Sequence, residues 1–151
     1  MSKNTPIAKR ISFQPVTEAD FEELLALRVA AMRESLERLG RFDPQRARAR
    51  LQNSFYPEHT RFIVLDAERI GFYTLRPTEA GLHLDHLYIH PDYQSQGVGS
   101  FVIQKITQEA DVAGKSIRLG ALKGSASNRF YQRHGFVQET EEEWDINYVR
   151  A

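Results

Sequence analysis

The stretch from Leu82 to Leu122 constrains this chain more than any other. A β-rich run from Leu82 to His90 ends at Pro91, and Gln94-Ser95-Gln96-Gly97-Val98-Gly99-Ser100 follows. Apolar residues then recur at helical spacing (Val98, Phe101, Val102, Ile106, Ala110, Ala113) until Gly114, and Ser116 to Leu122 is β-rich again. Strand, glycine loop, helix and strand in that order form a β-α-β crossover, which commits both strands to a sheet with a helix packed on it. Glycines at 97 and 99 let a ligand approach the backbone closely. The unpaired N–H groups of a helix start favour an anion, phosphate above all. Two phosphate loops fail on inspection. A dinucleotide fingerprint needs a third glycine where Val102 stands, and a nucleotide-triphosphatase loop needs Lys-Ser/Thr where Ser100-Phe101 stands. The pattern suits a pyrophosphate cradled by backbone amides alone.

The flanking sequence supplies the other layers. Ile11 to Pro15 reads as a short strand, and Thr17 with Asp20 reads as a capping box with Asp in place of Glu. A helix follows through Phe21, Leu24, Leu25, Leu27, Met32, Leu36 and Leu39 to Gly40. Asp43-Pro44 opens a second helix that runs to about Ser54. Arg61 to Asp66 and Ile70 to Arg76 read as strands joined by Ala67-Glu68-Arg69, with a turn over Pro77 to Gly81. After the crossover come a short helix, Ser127 to His134, and a closing strand pair, Phe136 to Thr140 and Asp145 to Val149. The order predicts an α+β (mixed α/β) fold with one central sheet.

Composition narrows the class. The 151 residues suit one domain, expected over residues 7–150 with a flexible N-terminus at 1–6. Twenty Lys+Arg against twenty Asp+Glu leave no net charge, which argues against a nucleic-acid partner. There is no cysteine, so disulfides and thiolate chemistry are excluded, in keeping with a cytoplasmic protein. No apolar run is long enough to span a bilayer, and Met1 to Arg10 lacks the apolar stretch of a signal peptide, so no membrane association is expected. With no Cys and no His-x-x-x-His spacing, no metal site is expected either.

Two motifs carry a family resemblance. Leu84 through Ser100 resembles the acyl-CoA motif of the GCN5-related N-acetyltransferase (GNAT) family: strand, Pro, then Gln/Arg-x-x-Gly-x-Gly/Ala opening a helix. Phe130-Tyr131-Gln132-Arg133-His134-Gly135-Phe136 resembles that family's Phe-Tyr-x-x-x-Gly-Phe. The resemblance implies a central, mostly antiparallel, twisted sheet flanked by helices. It also implies an acetyl-CoA-dependent N-acetyltransferase in which a primary amine of a small molecule attacks the thioester directly in a ternary complex. Amides of Gln94, Ser95, Gln96, Gly97, Val98, Gly99 and Ser100 would bind the pyrophosphate, and the main chain of Leu87, Tyr88 and Ile89 the pantetheine arm. Tyr131 would be the general acid toward the leaving thiolate, and touch the cofactor. Many relatives carry Asn six residues before that Tyr; Ser125 stands there, with Asn128 as the residue able to compensate. A homodimer through the terminal strands is common among relatives and is left open.

An alkylamine near the Lys value of ~10.4 is about 3.4 units from neutral at pH 7, or roughly 4.6 kcal/mol, so some group must take its proton. His83 and Asp85 are two apart on a strand and share a sheet face. In relatives with an identified base, it often lies at matching positions. An imidazole near ~6.5 makes His83 the better base, with Asp85 or water as alternatives. His86 and His90 have the other parity and read as structural; His59 and His134 read as surface residues.

The acceptor side says less. Arg28, Arg33, Arg38, Arg41, Arg46, Arg48 and Arg50 crowd the first two helices, and either recognise an anionic group on the acceptor or form a solvated face. Glu139 to Glu143 is either a lure for cations or an acidic turn between strands. The competing function is a non-catalytic acyl-CoA sensor or interaction module of the same fold. A helix-turn-helix built on Arg46 to Arg50 is disfavoured by the balanced charge.

Overall fold

The computed structural model describes residues 6–151. Seven strands form one sheet in the order β1-β2-β3-β4-β5-β7-β6. They are β1 (Ile11–Pro15), β2 (Thr60–Leu65), β3 (Glu68–Thr78), β4 (Gly81–Ile89), β5 (Ile117–Leu122), β6 (Val137–Glu141) and β7 (Asp145–Arg150). The helices are α1 (Ile7–Arg10), α2 (Phe21–Arg38), α3 (Pro44–Asn53), α4 (Val98–Ala113) and α5 (Ser127–Arg133). The pairs β1–β2, β2–β3, β5–β7 and β6–β7 are antiparallel, and β4 pairs parallel with β5 at Leu82↔Ile117 and His83↔Arg118. This is the mixed, mostly antiparallel α+β architecture expected.

The described residues pack as two compact units, the first comprising residues 6–74 with His86–Phe101 and the second Leu75–Asp85 with Val102–Ala151. In the first unit, the Thr17 amide donates to Asp20 Oδ2 at 2.9 Å, completing the capping box ahead of α2. Asp43 Oδ1 accepts from the amides of Gln45 (2.9 Å) and Arg46 (3.3 Å), with Pro44 in the first turn of α3. Leu24, Leu25 and Leu27 of α2 and Ala47 and Leu51 of α3 bury against Phe62, Val64 and Phe72 of β2 and β3. Full burial of each large apolar side chain is worth about 1.5–3 kcal/mol. Phe62 through Leu65 are all buried, because β2 lies between two strands and is covered on both faces.

In the second unit, Val102, Ile103, Ile106 and Ala110 of α4 are fully buried, one face of a helix at helical spacing. Ile117, Leu119, Ala121 and Leu122 of β5, with Tyr131, Phe136 and Tyr148, fill the rest of that core. Arg118 pairs with Glu139 and Lys123 with Glu141, so Glu139 and Glu141 of the acidic stretch are partnered.

Three local details depart from the sequence reading. The one-turn helix α1 was not expected. The β2–β3 connection is the two-residue turn Asp66-Ala67 rather than Ala67-Glu68-Arg69. Both turn residues take positive φ (48° and 72°), and Arg10 clamps Asp66 at 2.6 Å, compensating a turn that lacks glycine. β3 continues to Thr78, leaving only Glu79-Ala80 before β4. The expected flexible N-terminus lies outside the described residues except for Pro6, the N-cap of α1. Among the described residues no helix is long and apolar enough to cross a membrane.

Candidate active site

The glycine loop is built by its backbone. β4 ends at Ile89, and a short turn over Pro91–Tyr93 is capped by His90, whose Nδ1 accepts from the Asp92 amide at 3.1 Å. Gln94 Nε2 donates to Ile89 O (2.8 Å) and Gln96 Nε2 to Asp92 O (3.3 Å), so both glutamines brace the loop from within. Ser95 and Gly97 take positive φ, 64° and 85°, on either side of Gln96. Alternating backbone sign of this kind gathers successive N–H groups into an anion-binding concavity. A Cβ on Gly97 would meet nothing within 4 Å, so the backbone angle, not crowding, requires glycine there.

The first intrahelical bond of α4 runs from the Phe101 amide to Gly97 O at 3.0 Å. The amides of Gly97, Val98 and Gly99 therefore precede the helical ladder at the positive end of the helix, with no acidic residue in the first turn to repel an anion. Val98 is 1% exposed and anchors this mouth in the core, while Gln94 to Gly97 are exposed. Amides outside the helical ladder, on a helix start fixed in the core, suit an anion.

Behind the loop, β4 carries Leu87, Tyr88 and Ile89, all half-buried. A Cβ on Gly71 of β3 would fall 2.1 Å from Tyr88 O, so only glycine admits the close approach of these two strands. The Tyr88 ring stands edge-on to Phe72 at 5.4 Å, and its hydroxyl lies 3.3 Å from His86 Nδ1. His86 itself is 6% exposed, with Nε2 2.9 Å from Ser54 Oγ; its role is structural, as its parity implied.

The titratable candidates fall in the second unit. Arg76 grips Asp85 with two nearly parallel bonds, Nε to Oδ2 at 2.9 Å and Nη2 to Oδ1 at 3.1 Å. His83 Nδ1 lies 2.8 Å from Asp85 Oδ1, yet its N–H is not aligned for a hydrogen bond, so the two meet as a close electrostatic contact. Burial by itself would raise the Asp85 pKa; the contacts with His83 and Arg76 outweigh it and bring the carboxyl from the usual 3.8 down to about 2. Asp85 is therefore an anion at neutral pH. Sequence reading missed Arg76. A signal existed: counted outward from the Glu79-Ala80 turn, Arg76, His83 and Asp85 share one hairpin face.

Tyr131 sits on α5, 7% exposed, with edge-on contacts to Phe130 (5.2 Å) and Phe136 (5.6 Å). Ser125 and Asn128 are engaged internally. Ser125 Oγ donates to Leu122 O at 2.8 Å. Asn128 Nδ2 donates to Leu122 O (2.9 Å) and Ser125 O (3.0 Å), and its carbonyl accepts from Tyr148 Oη at 2.8 Å. Both side chains brace the entry into α5. His134, expected at the surface, is half-buried; burial first, then Arg133, lowers its pKa. His59 pairs loosely with Glu58 at 3.9 Å. Among the described residues, no group of three or more His, Asp or Glu is placed to hold a metal ion.

The family model for an acetyltransferase (GNAT) domain matches residues 58–138, more than half of the chain. The chain belongs to the GNAT family. No curated protein matches this GNAT chain. Solved structures share its fold. A PaiA N-acetyltransferase from Thermoplasma acidophilum, in complex with coenzyme A, superposes with a TM-score of 0.75 at 16% identity, covering 93% of this chain and 98% of that one. An acetyltransferase from Thermus thermophilus gives 0.70 at 20% identity, over 93% and 96%. Naa50 from Arabidopsis thaliana, bound to a bisubstrate analogue, gives 0.63 at 16% identity, over 94% and 99%.

Proposed function

We propose that residues 7–150 form one acetyl-CoA-dependent N-acetyltransferase domain acting on the primary amine of a small molecule. The observation that carries this reading is the start of α4: amides of Gly97, Val98 and Gly99 ahead of the helical ladder, on a positive-φ glycine turn, in a GNAT chain. Two of the solved relatives were captured with coenzyme A or a CoA-derived analogue, which supports the same co-substrate here. The amides of Gln94 through Ser100 bind its diphosphate, and the main chain of Leu87, Tyr88 and Ile89 holds its pantetheine arm. Acetyl-CoA supplies an acetyl group activated as a thioester, with a thiolate as the leaving group.

The remaining tasks fall to this chain's own side chains. His83 takes the amine proton at Nε2, because Nδ1 faces Asp85. Asp85, held ionised by Arg76, offsets the positive charge His83 acquires; it is a positioning residue rather than the base. Tyr131 donates a proton or a hydrogen bond to the departing sulfur. Taking a Cys-like thiol near ~8.5 and a phenol near ~10, full transfer is uphill by only about 2 kcal/mol.

A thiol-release assay with acetyl-CoA and pooled primary amines tests the reading. Turnover that depends on amine supports it; tight CoA binding with no turnover on a broad panel favours the acyl-CoA sensor instead. In the active enzyme, His83→Ala is expected to lower kcat about 10²-fold or more and remove the acidic limb of the pH profile.

A further inference from the structure

Arg28 differs from every other arginine of α2 and α3. Arg33, Arg38, Arg46, Arg48 and Arg50 are exposed, and Arg33, Arg38 and Arg48 pair with Glu37, Glu34 and Glu22. Arg28 is 5% exposed. Its neighbours on α2 are Leu24, Leu25 and Leu27, all members of the apolar core. Among the described residues no carboxylate pairs with it. Nη1 makes one long hydrogen bond to Ala47 O at 3.4 Å, and Nε has no partner at all. The guanidinium lies over the Tyr88 ring, 5.7 Å from its centre.

A guanidinium cannot shed its proton, and a buried cation without a counter-charge is strongly unfavourable. Tyr88 supplies a ring face, which softens the penalty without cancelling it. One positive charge with a planar, mostly unused donor fork matches one carboxylate. The contact with Tyr88 also fixes the location, beside the Leu87–Ile89 segment assigned above to the pantetheine arm. We infer that Arg28 binds a carboxylate on the acceptor, so that the substrates are amino acids or other amines bearing a carboxylate. This rests on the N-acetyltransferase reading above.

The test uses the whole chain and matched probes: amino acids, each paired with the amine that lacks its carboxylate. The wild type is expected to favour the carboxylated member in kcat/KM by at least about tenfold, the scale of a charge-assisted hydrogen bond. Arg28→Met is expected to collapse that ratio to near unity, with CoA affinity by calorimetry unchanged. Should Arg28→Met fail to fold, Arg28→Lys reads the same ratio, because it keeps the charge and loses the fork. A wild type that does not discriminate, a ratio unmoved by substitution, or loss of CoA affinity in the variant would overturn the assignment, the last by giving the anion to CoA. If CoA binds but no amine of either kind is acetylated, the enzymatic reading falls, and NMR decides the Arg28 question alone. In CoA-saturated protein, movement of the Arg28 Nε–H resonance with carboxylated probes and not with their partners upholds carboxylate binding; no movement with either overturns it.

Discussion

The glycine loop and the His83–Asp85 segment flank the same stretch of β4 and use opposite means. The loop presents main-chain amides, and its polar side chains, Gln94 and Gln96, are turned inward to brace it. The β4 segment presents side-chain charge, and depends on Arg76 from another strand to hold Asp85 ionised. A site made of backbone tolerates changes of side chain and fails when a dihedral angle changes. A site made of paired charges behaves the other way round.

That contrast can be broken at its strongest point. Gly97→Val places a β-branched residue at φ 85° and is expected to abolish measurable CoA binding by calorimetry, with a strain of about 1–3 kcal/mol visible in urea unfolding. If CoA affinity survives, the loop does not work through its backbone. Tyr131→Phe is the next largest: kcat down about 10²-fold, CoA affinity within about threefold, measured by thiol release and calorimetry. Equal rates would remove the acid role.

Asp85→Asn sharpens the electrostatic half. A carboxyl held at about 2 against an ordinary 3.8 stabilises the fold above pH 4, and that contribution disappears as pH falls through 2. The variant is expected to lose about 1–2 kcal/mol at pH 7 in urea titrations, a figure discounted for partial solvation, with the difference from wild type vanishing near pH 2. A gap that persists at low pH would assign the loss to packing. The smallest effect belongs to Gln96→Ala, which removes only the 3.3 Å brace to Asp92 O and is expected to change CoA affinity by less than about threefold.

The same contrast explains what could be read from the chain. The loop is contiguous, so its glycines, the preceding Pro91 and the following helix announce it without reference to anything distant. The Arg76–Asp85 pair needs the position of a turn, and placing that turn over Pro77 to Gly81 instead of Glu79-Ala80 hid the parity that joins them. Arg28 was lost among seven similar arginines, although its spacing of four from Leu24 put it on the buried face of α2. The bond that Asn128 of α5 accepts from Tyr148 comes from twenty positions away on β7, and no local pattern reports it.

The account rests on amides at the mouth of α4 holding a diphosphate. Calorimetric titration of the wild-type chain with CoA, then with pantetheine, which lacks that group, tests it most directly. A saturable one-to-one heat with CoA that collapses with pantetheine is the predicted result. No heat with CoA, or equal affinity for both, would contradict it.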